Sequence, residues 1–62
     1  MMNNKEEKIY TKFYIYGNKF TVKDYKENQF GVFHNDIFIG ICEQPKQVSA
    51  VPVAAKYLNI IK

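Results

Sequence analysis

Arginine and tryptophan are missing from this 62-residue chain, cysteine occurs once, and glycine only three times. Each shortage excludes something. A lone Cys42 cannot form a disulfide within the chain. With His34 it makes only two soft ligands where zinc takes four, so neither staple that small domains often rely on is expected. Gly17, Gly31 and Gly40 stand apart from one another, so there is no glycine-rich loop to cradle a phosphate. No apolar run approaches the roughly 20 residues of a membrane span. The opening MMNNKEEK lacks the apolar stretch of an export signal. Together with one unpaired cysteine, this makes a cytoplasmic location the expectation.

The missing arginine bears on partners. All nine basic residues are lysine, and they outweigh six acidic ones for a net charge of +3. Readers of DNA bases favour arginine, whose planar fork matches guanine and phosphate. Lysine serves loose backbone contact as a point charge. A chain rich in Lys, Asn, Ile, Tyr and Phe fits A+T-rich coding, as in a low-G+C bacterium or its phages.

What is present is a series of β-branched and aromatic runs between turn signals. Residues Lys8–Tyr16, Lys19–Tyr25, Gln29–His34 and Ile37–Cys42 read as four strands. Gly17-Asn18 and Asn35-Asp36 suit two-residue hairpin turns, and residues 26–28 a looser one. Residues Met1–Glu7 read as a flexible polar tail, and 8–62 as a single β-β-β-β-α domain. The expected class is α+β: a four-stranded antiparallel meander with one C-terminal helix packed on one face.

Opposed residues in a hairpin share a face. With the turns above, Ile9, Phe13, Ile15, Phe20, Val22, Phe30, Val32, Ile37, Ile39 and Ile41 form the closed face. Thr11, Asp24 and His34 fall at its edges. The open face receives Tyr10, Lys12, Tyr14, Tyr16, Lys19, Lys23, Tyr25, Phe33 and Phe38. On that face Lys12 is expected opposite Lys23, and Gly31 beside Gly40 is expected to leave a low spot between aromatic walls.

The tail PKQVSAVPVAAKYLNIIK supplies the lid. Val48, Val51, Ala55, Leu58 and Ile61 recur at helical spacing and are expected to cover the sheet. Pro52 allows a kinked helix over 45–61 or a short turn at 45–50 followed by a helix starting at Pro52. The second is preferred, since proline inside a helix costs about 3 kcal/mol. Val53, Tyr57 and Ile60 form a second stripe on the expected far side, flanked by Lys46 and Lys56. That stripe is a candidate contact with a protein partner or a second copy.

No catalytic constellation stands out. Cys42 and His34 are expected on opposite faces of adjacent strands, and no carboxylate pair is evident. The expected function is therefore non-catalytic binding: a small protein that docks on a larger protein and inhibits or modulates it. The alternative is a small nucleic-acid-binding module that uses the Tyr/Lys sheet face, with bases over rings and lysines on phosphates. No metal or cofactor is expected.

Over about a third of the chain, IFIGICEQPKQVSAVPVAA resembles the last strand and helix of the three-stranded-sheet DNA-binding domains of AP2 type and of some integrase arm-binding domains. The shared features are an aliphatic-Gly pair (Ile39-Gly40), a short turn, and a helix with small apolar residues (Val48, Val51, Ala55). The resemblance implies a sheet face that enters a major groove. The arginines and tryptophans that read DNA in those families are absent here.

Overall fold

A computed structural model describes residues 8–61 of the chain; the polar tail expected over residues 1–7 lies outside the described residues. Four strands, β1 (Ile9–Ile15), β2 (Asn18–Lys26), β3 (Gln29–His34) and β4 (Ile37–Cys42), form one antiparallel sheet in the order β1-β2-β3-β4. Helix α1 (Gln47–Ile61) packs on one face of it. This is the expected α+β meander. Among the described residues, no helix is long and apolar enough to cross a membrane.

The first and last turns place both central residues where hairpins want them, in the left-handed region that matches strand twist, while in the middle turn only Asn28 (φ 65°) does so. Asn35 and Asp36 do so with φ of 50° and 72°. The first turn differs from expectation. Its centre is Tyr16-Gly17 (φ 50° and 80°), not Gly17-Asn18, and Ile15 pairs with Asn18. The slip is two residues in register, so the faces survive. It brings Phe13 opposite Phe20, where the rings stack at 5.5 Å. It also frees the Asn18 amide to donate to the carbonyls of Ile15 (3.2 Å) and Tyr16 (3.3 Å). Against these gains, a tyrosine in left-handed backbone costs roughly 1–2 kcal/mol.

Each strand pair also carries an irregularity that pattern reading did not anticipate. In β1, Ile9 pairs with Lys23 and Thr11 with Val22, which makes Tyr10 an extra residue. In β2, Asp24 pairs with Phe30 and Lys26 with Gln29, leaving Tyr25 over. In β4, Phe38 pairs with Phe33 and Gly40 with Val32, leaving Ile39 over. A bulge re-aims every side chain beyond it. Tyr10 thus moves to the helix side, where it meets Phe30 edge-on at 5.3 Å and its hydroxyl donates to Asp24 (2.9 Å). Ile9 moves to the open side. Gly40 and Cys42 move under the helix, and Ile41 moves out opposite Gly31. The edge strands β1 and β4 both hold a bulge, which discourages further strand addition at either edge.

The core is Phe13, Phe20, Val22, Val32, Cys42, Ala50 and Ala54. The helix is rotated from the expected orientation. Its seam is Ala50 and Ala54, flanked by half-buried Val51 and Leu58 on one side and Val53 and Tyr57 on the other, while Val48, Ala55 and Ile61 are exposed. The reason is volume. Phe13 and Phe20 rise from the sheet, so small residues must face them for the layers to close to native density. The closest approach is at Gly40, where an added Cβ would lie 2.7 Å from Cγ1 of Val53.

The helix runs unbroken through Pro52, which overturns the preferred reading of a helix beginning there. Ala50 N–H bonds back to the Lys46 carbonyl (3.1 Å), so the helix is established before the proline. Pro52 lies on the exposed side. The one carbonyl it leaves unpaired, that of Val48, can be satisfied by water. Before the helix, the Ser49 hydroxyl accepts from the Gln44 N–H (3.2 Å) and ties the loop to the first turn.

Candidate binding surface

The face of the sheet away from the helix is built by simple alternation. With Phe13, Phe20 and Val22 turned inward, Lys12, Tyr14, Lys19 and Thr21 must point outward. Lys23 and Tyr25 continue that alternation, and the bulges add Ile9 and Ile41 to the outward set. Tyr14, 61% exposed, stands with exposed Lys12 and Lys19 near the β1–β2 end. At the β3–β4 side, Tyr25 stacks flat on Phe38 at 4.2 Å, and Phe38 meets Phe33 at 5.7 Å.

These rings fill the space over Gly31. A Cβ there would meet Phe33 at 2.9 Å, Tyr25 at 3.2 Å and Phe38 at 3.3 Å. The expected low spot beside a glycine pair therefore does not exist: Gly31 faces Ile41, and Gly40 lies under the helix. Glycine at 31 instead lets three aromatic side chains close over the backbone as a small second cluster. Thr21 is buried beside it, 7% exposed.

The lysines have different surroundings. Lys23 has only 13% of its side chain exposed; its ammonium lies 3.8 Å from Asp36 and 4.6 Å over the Phe33 ring. It pairs across the strand with Ile9, and Lys12 pairs with Thr21. The expected Lys12–Lys23 repulsion is thus absent, because the two-residue register change separates them. Lys26 lies 5.6 Å over Tyr25.

Of the residues singled out in the sequence, Lys12, Tyr14, Lys19, Lys23, Tyr25, Phe33 and Phe38 share the open face. Tyr10 does not, because of the bulge, and Tyr16 sits in the turn. Ile9 and Ile41 belong to the face and were missed. An isolated glycine inside a strand is a bulge signal, so Gly40 could have flagged the displacement of Ile41. No comparable signal marks Tyr10. Val53 and Tyr57 do not lie on the far side of the helix: they are half-buried against the sheet, and only Ile60 of that stripe is exposed.

His34 and Cys42, expected on opposite faces and not as a catalytic couple, in fact both turn to the helix side because of the bulge in β4, but at opposite ends of β3–β4. His34 pairs with Ile37, and Cys42 with Phe30. His34 Nδ1 is 2.9 Å from the Tyr57 hydroxyl, and Nε2 is 3.3 Å from Asn18 Oδ1. One neutral tautomer satisfies both: Nε2–H donates to Asn18, and Nδ1 accepts from Tyr57. The network links the first turn, β3 and the helix. Replacing Tyr57 with phenylalanine removes one bond of a half-buried pair and should lower stability by about 1 kcal/mol. In a domain of this size that is a fall in melting temperature of roughly 4–8 °C. An unchanged melting curve by circular dichroism would mean the contact contributes nothing.

The Cys42 thiol is buried and donates to the Gln44 carbonyl (3.2 Å), and burial raises its pKa above the usual thiol value. It therefore stays protonated and poorly nucleophilic near neutrality. Tyr10 also titrates above its ordinary value, first because its hydroxyl donates to Asp24. Among the described residues there is no group of three or more His, Cys, Asp or Glu side chains that could hold a metal ion.

The open face therefore offers exposed rings, aliphatic groups and two well-exposed lysines on a rigid sheet. The sheet has four strands where the DNA-binding domains that the C-terminal stretch resembles have three. Compared with known proteins, the chain matches no family model, no curated protein and no solved structure.

Proposed function

We propose that this chain is a non-catalytic binding module that docks through its open sheet face onto a larger protein and modulates it. The observation that carries the reading is the uncovered face itself. Tyr14, Tyr25, Phe38, Ile9 and Ile41 are all exposed there, next to Lys12 and Lys19. Aromatic side chains are enriched at protein interfaces, and contiguous apolar exposure marks interaction sites. The lysines call for a partner surface that carries carboxylates around an apolar centre. The engagement of His34 by Tyr57 and Asn18, and the burial of Cys42, support a non-catalytic role.

Protein is favoured over nucleic acid because the Tyr25 and Phe38 rings already stack on each other. A single-strand platform needs ring faces free for bases. The test is a pull-down on the immobilised chain, followed by calorimetry with the purified partner. The double variant Lys12→Glu/Tyr14→Ala alters only exposed side chains and should weaken binding at least tenfold, about 1.4 kcal/mol, with the melting temperature retained. Equal affinity of variant and wild type would remove the sheet face from the interface. Binding to generic oligonucleotides that falls steeply between low and moderate salt would instead establish the nucleic-acid alternative.

A further inference from the structure

Tyr16 is unexplained by the open sheet. It occupies the first central position of the β1–β2 turn with φ 50°, and it is 94% exposed. Asparagine, aspartate or glycine usually fills such a position, and a bulky residue there is an outlier. No described residue covers the ring that this backbone strain holds out. Tyr16 stands on the rim of an open groove of about 630 Å³ between the turn and the last turns of the helix. Ile15, Ala55, Leu58 and Ile61 make it apolar, Asn18 and Asn59 add amides, and no described lining residue is charged.

We propose that this patch joins two copies of the chain about a two-fold axis, each Tyr16 lying in the other copy's groove. Projection and recess belong to the same patch, which is the self-complementarity a two-fold interface requires. Charge points the same way. Each copy carries +3, so two copies meet more easily across this groove, whose described lining is uncharged, than across a face that displays lysines. The open sheet, with Lys12 and Lys19, would repel its own copy. The groove would not, and the Asn59 amide, both donor and acceptor, can pair with its counterpart across the axis.

Size sets the strength. Each tyrosine buries roughly 150–250 Å². Two rings bury about 300–500 Å², and with the walls they cover the interface comes to roughly 600–1,000 Å², the size of weak, transient contacts below about 1,200 Å². The dimer is therefore a dissociable one that leaves both open sheet faces free. It does not depend on what those faces bind.

Light scattering and sedimentation on the full chain, over about 10 μM to 1 mM, bracket the dissociation constant of an interface this small. The mass should rise from one chain to two across the range. Tyr16→Gly should weaken association at least tenfold while leaving the melting temperature of dilute protein unchanged or higher, because glycine removes the backbone strain. Ile61→Lys, which puts a charge into the groove at an exposed position, should also yield monomer. A wild-type chain that stays monomeric throughout overturns the proposal, even if the groove holds some other protein. So does a dimer that survives both variants, or a Tyr16→Gly chain that melts well below wild type when dilute, since that would make the ring part of the fold. Lys12 and Tyr14 are untouched in these variants, so failure here leaves the sheet-face reading standing, and the converse holds.

Discussion

Replacing Phe20 by alanine should remove about 3–5 kcal/mol of stability and leave the chain largely unfolded at room temperature. Phe20 has no exposed surface. Its ring stacks on Phe13 at 5.5 Å, lies 5.1 Å from His34, and meets Tyr57 edge-on at 6.3 Å. Strands β1 and β3 and the helix therefore all converge on one side chain of β2. At roughly 0.05–0.15 kcal/mol per residue, a chain of this length has only about 3–9 kcal/mol in total, so the loss approaches the whole. A neighbouring side chain cannot easily fill the void, because the fully buried helix members of the same cluster are only Ala50 and Ala54. Urea unfolding followed by circular dichroism is the measurement. A change below about 1 kcal/mol, the level of a surface substitution, would mean that Phe20 is not the centre of the core.

Gly40→Ala tests the helix–sheet spacing. The added methyl carbon would sit 2.7 Å from Cγ1 of Val53, inside contact distance, so the helix must lift or Val53 must turn. Overpacking of this kind costs about 1–3 kcal/mol, partly offset by the 0.5–1 kcal/mol that alanine gains over glycine in a strand. A net loss of about 1–2 kcal/mol, or roughly 4–16 °C in melting temperature, is the expected result. The informative step is the double variant Gly40→Ala/Val53→Ala. Trimming Val53 removes the clashing methyl, so the two changes together should cost at least 0.5 kcal/mol less than their sum. Simple additivity would show that β4 does not carry Gly40 under the helix, and that the bulge at Ile39 is not formed.

That bulge shows where pattern reading stops. The four strands, the Asn35-Asp36 turn and the β2–β3 register through Val22 and Val32 could all be read from alternating apolar residues and turn chemistry. The sorting of Phe13, Phe20 and Val22 from Lys12, Tyr14 and Lys19 could be read too, because a two-residue register error leaves faces unchanged. A one-residue insertion inverts them, and three occur. Tyr10, Ile9 and Ile41 were accordingly assigned to the wrong faces. Helical spacing located the helix but misplaced its buried side. Periodicity weighted the larger residues of each stripe, whereas the seam falls on two alanines between the stripes.

Local order along the chain was therefore written in the residues themselves: which segments extend, where they reverse, which segment coils, and that one side of the sheet is apolar. These follow from backbone preferences and from the separation of oil from water, and both act within a few residues. Contact between layers decided the rest. The rings of Phe13 and Phe20 select alanine on the helix, and the approach of Val53 requires glycine at 40. The rings of Tyr25, Phe33 and Phe38 close over Gly31, and the first turn settles on Tyr16 so that Asn18 can reach His34. Such choices depend on volumes and hydrogen-bond partners from segments distant in sequence, and spacing along the chain does not encode them.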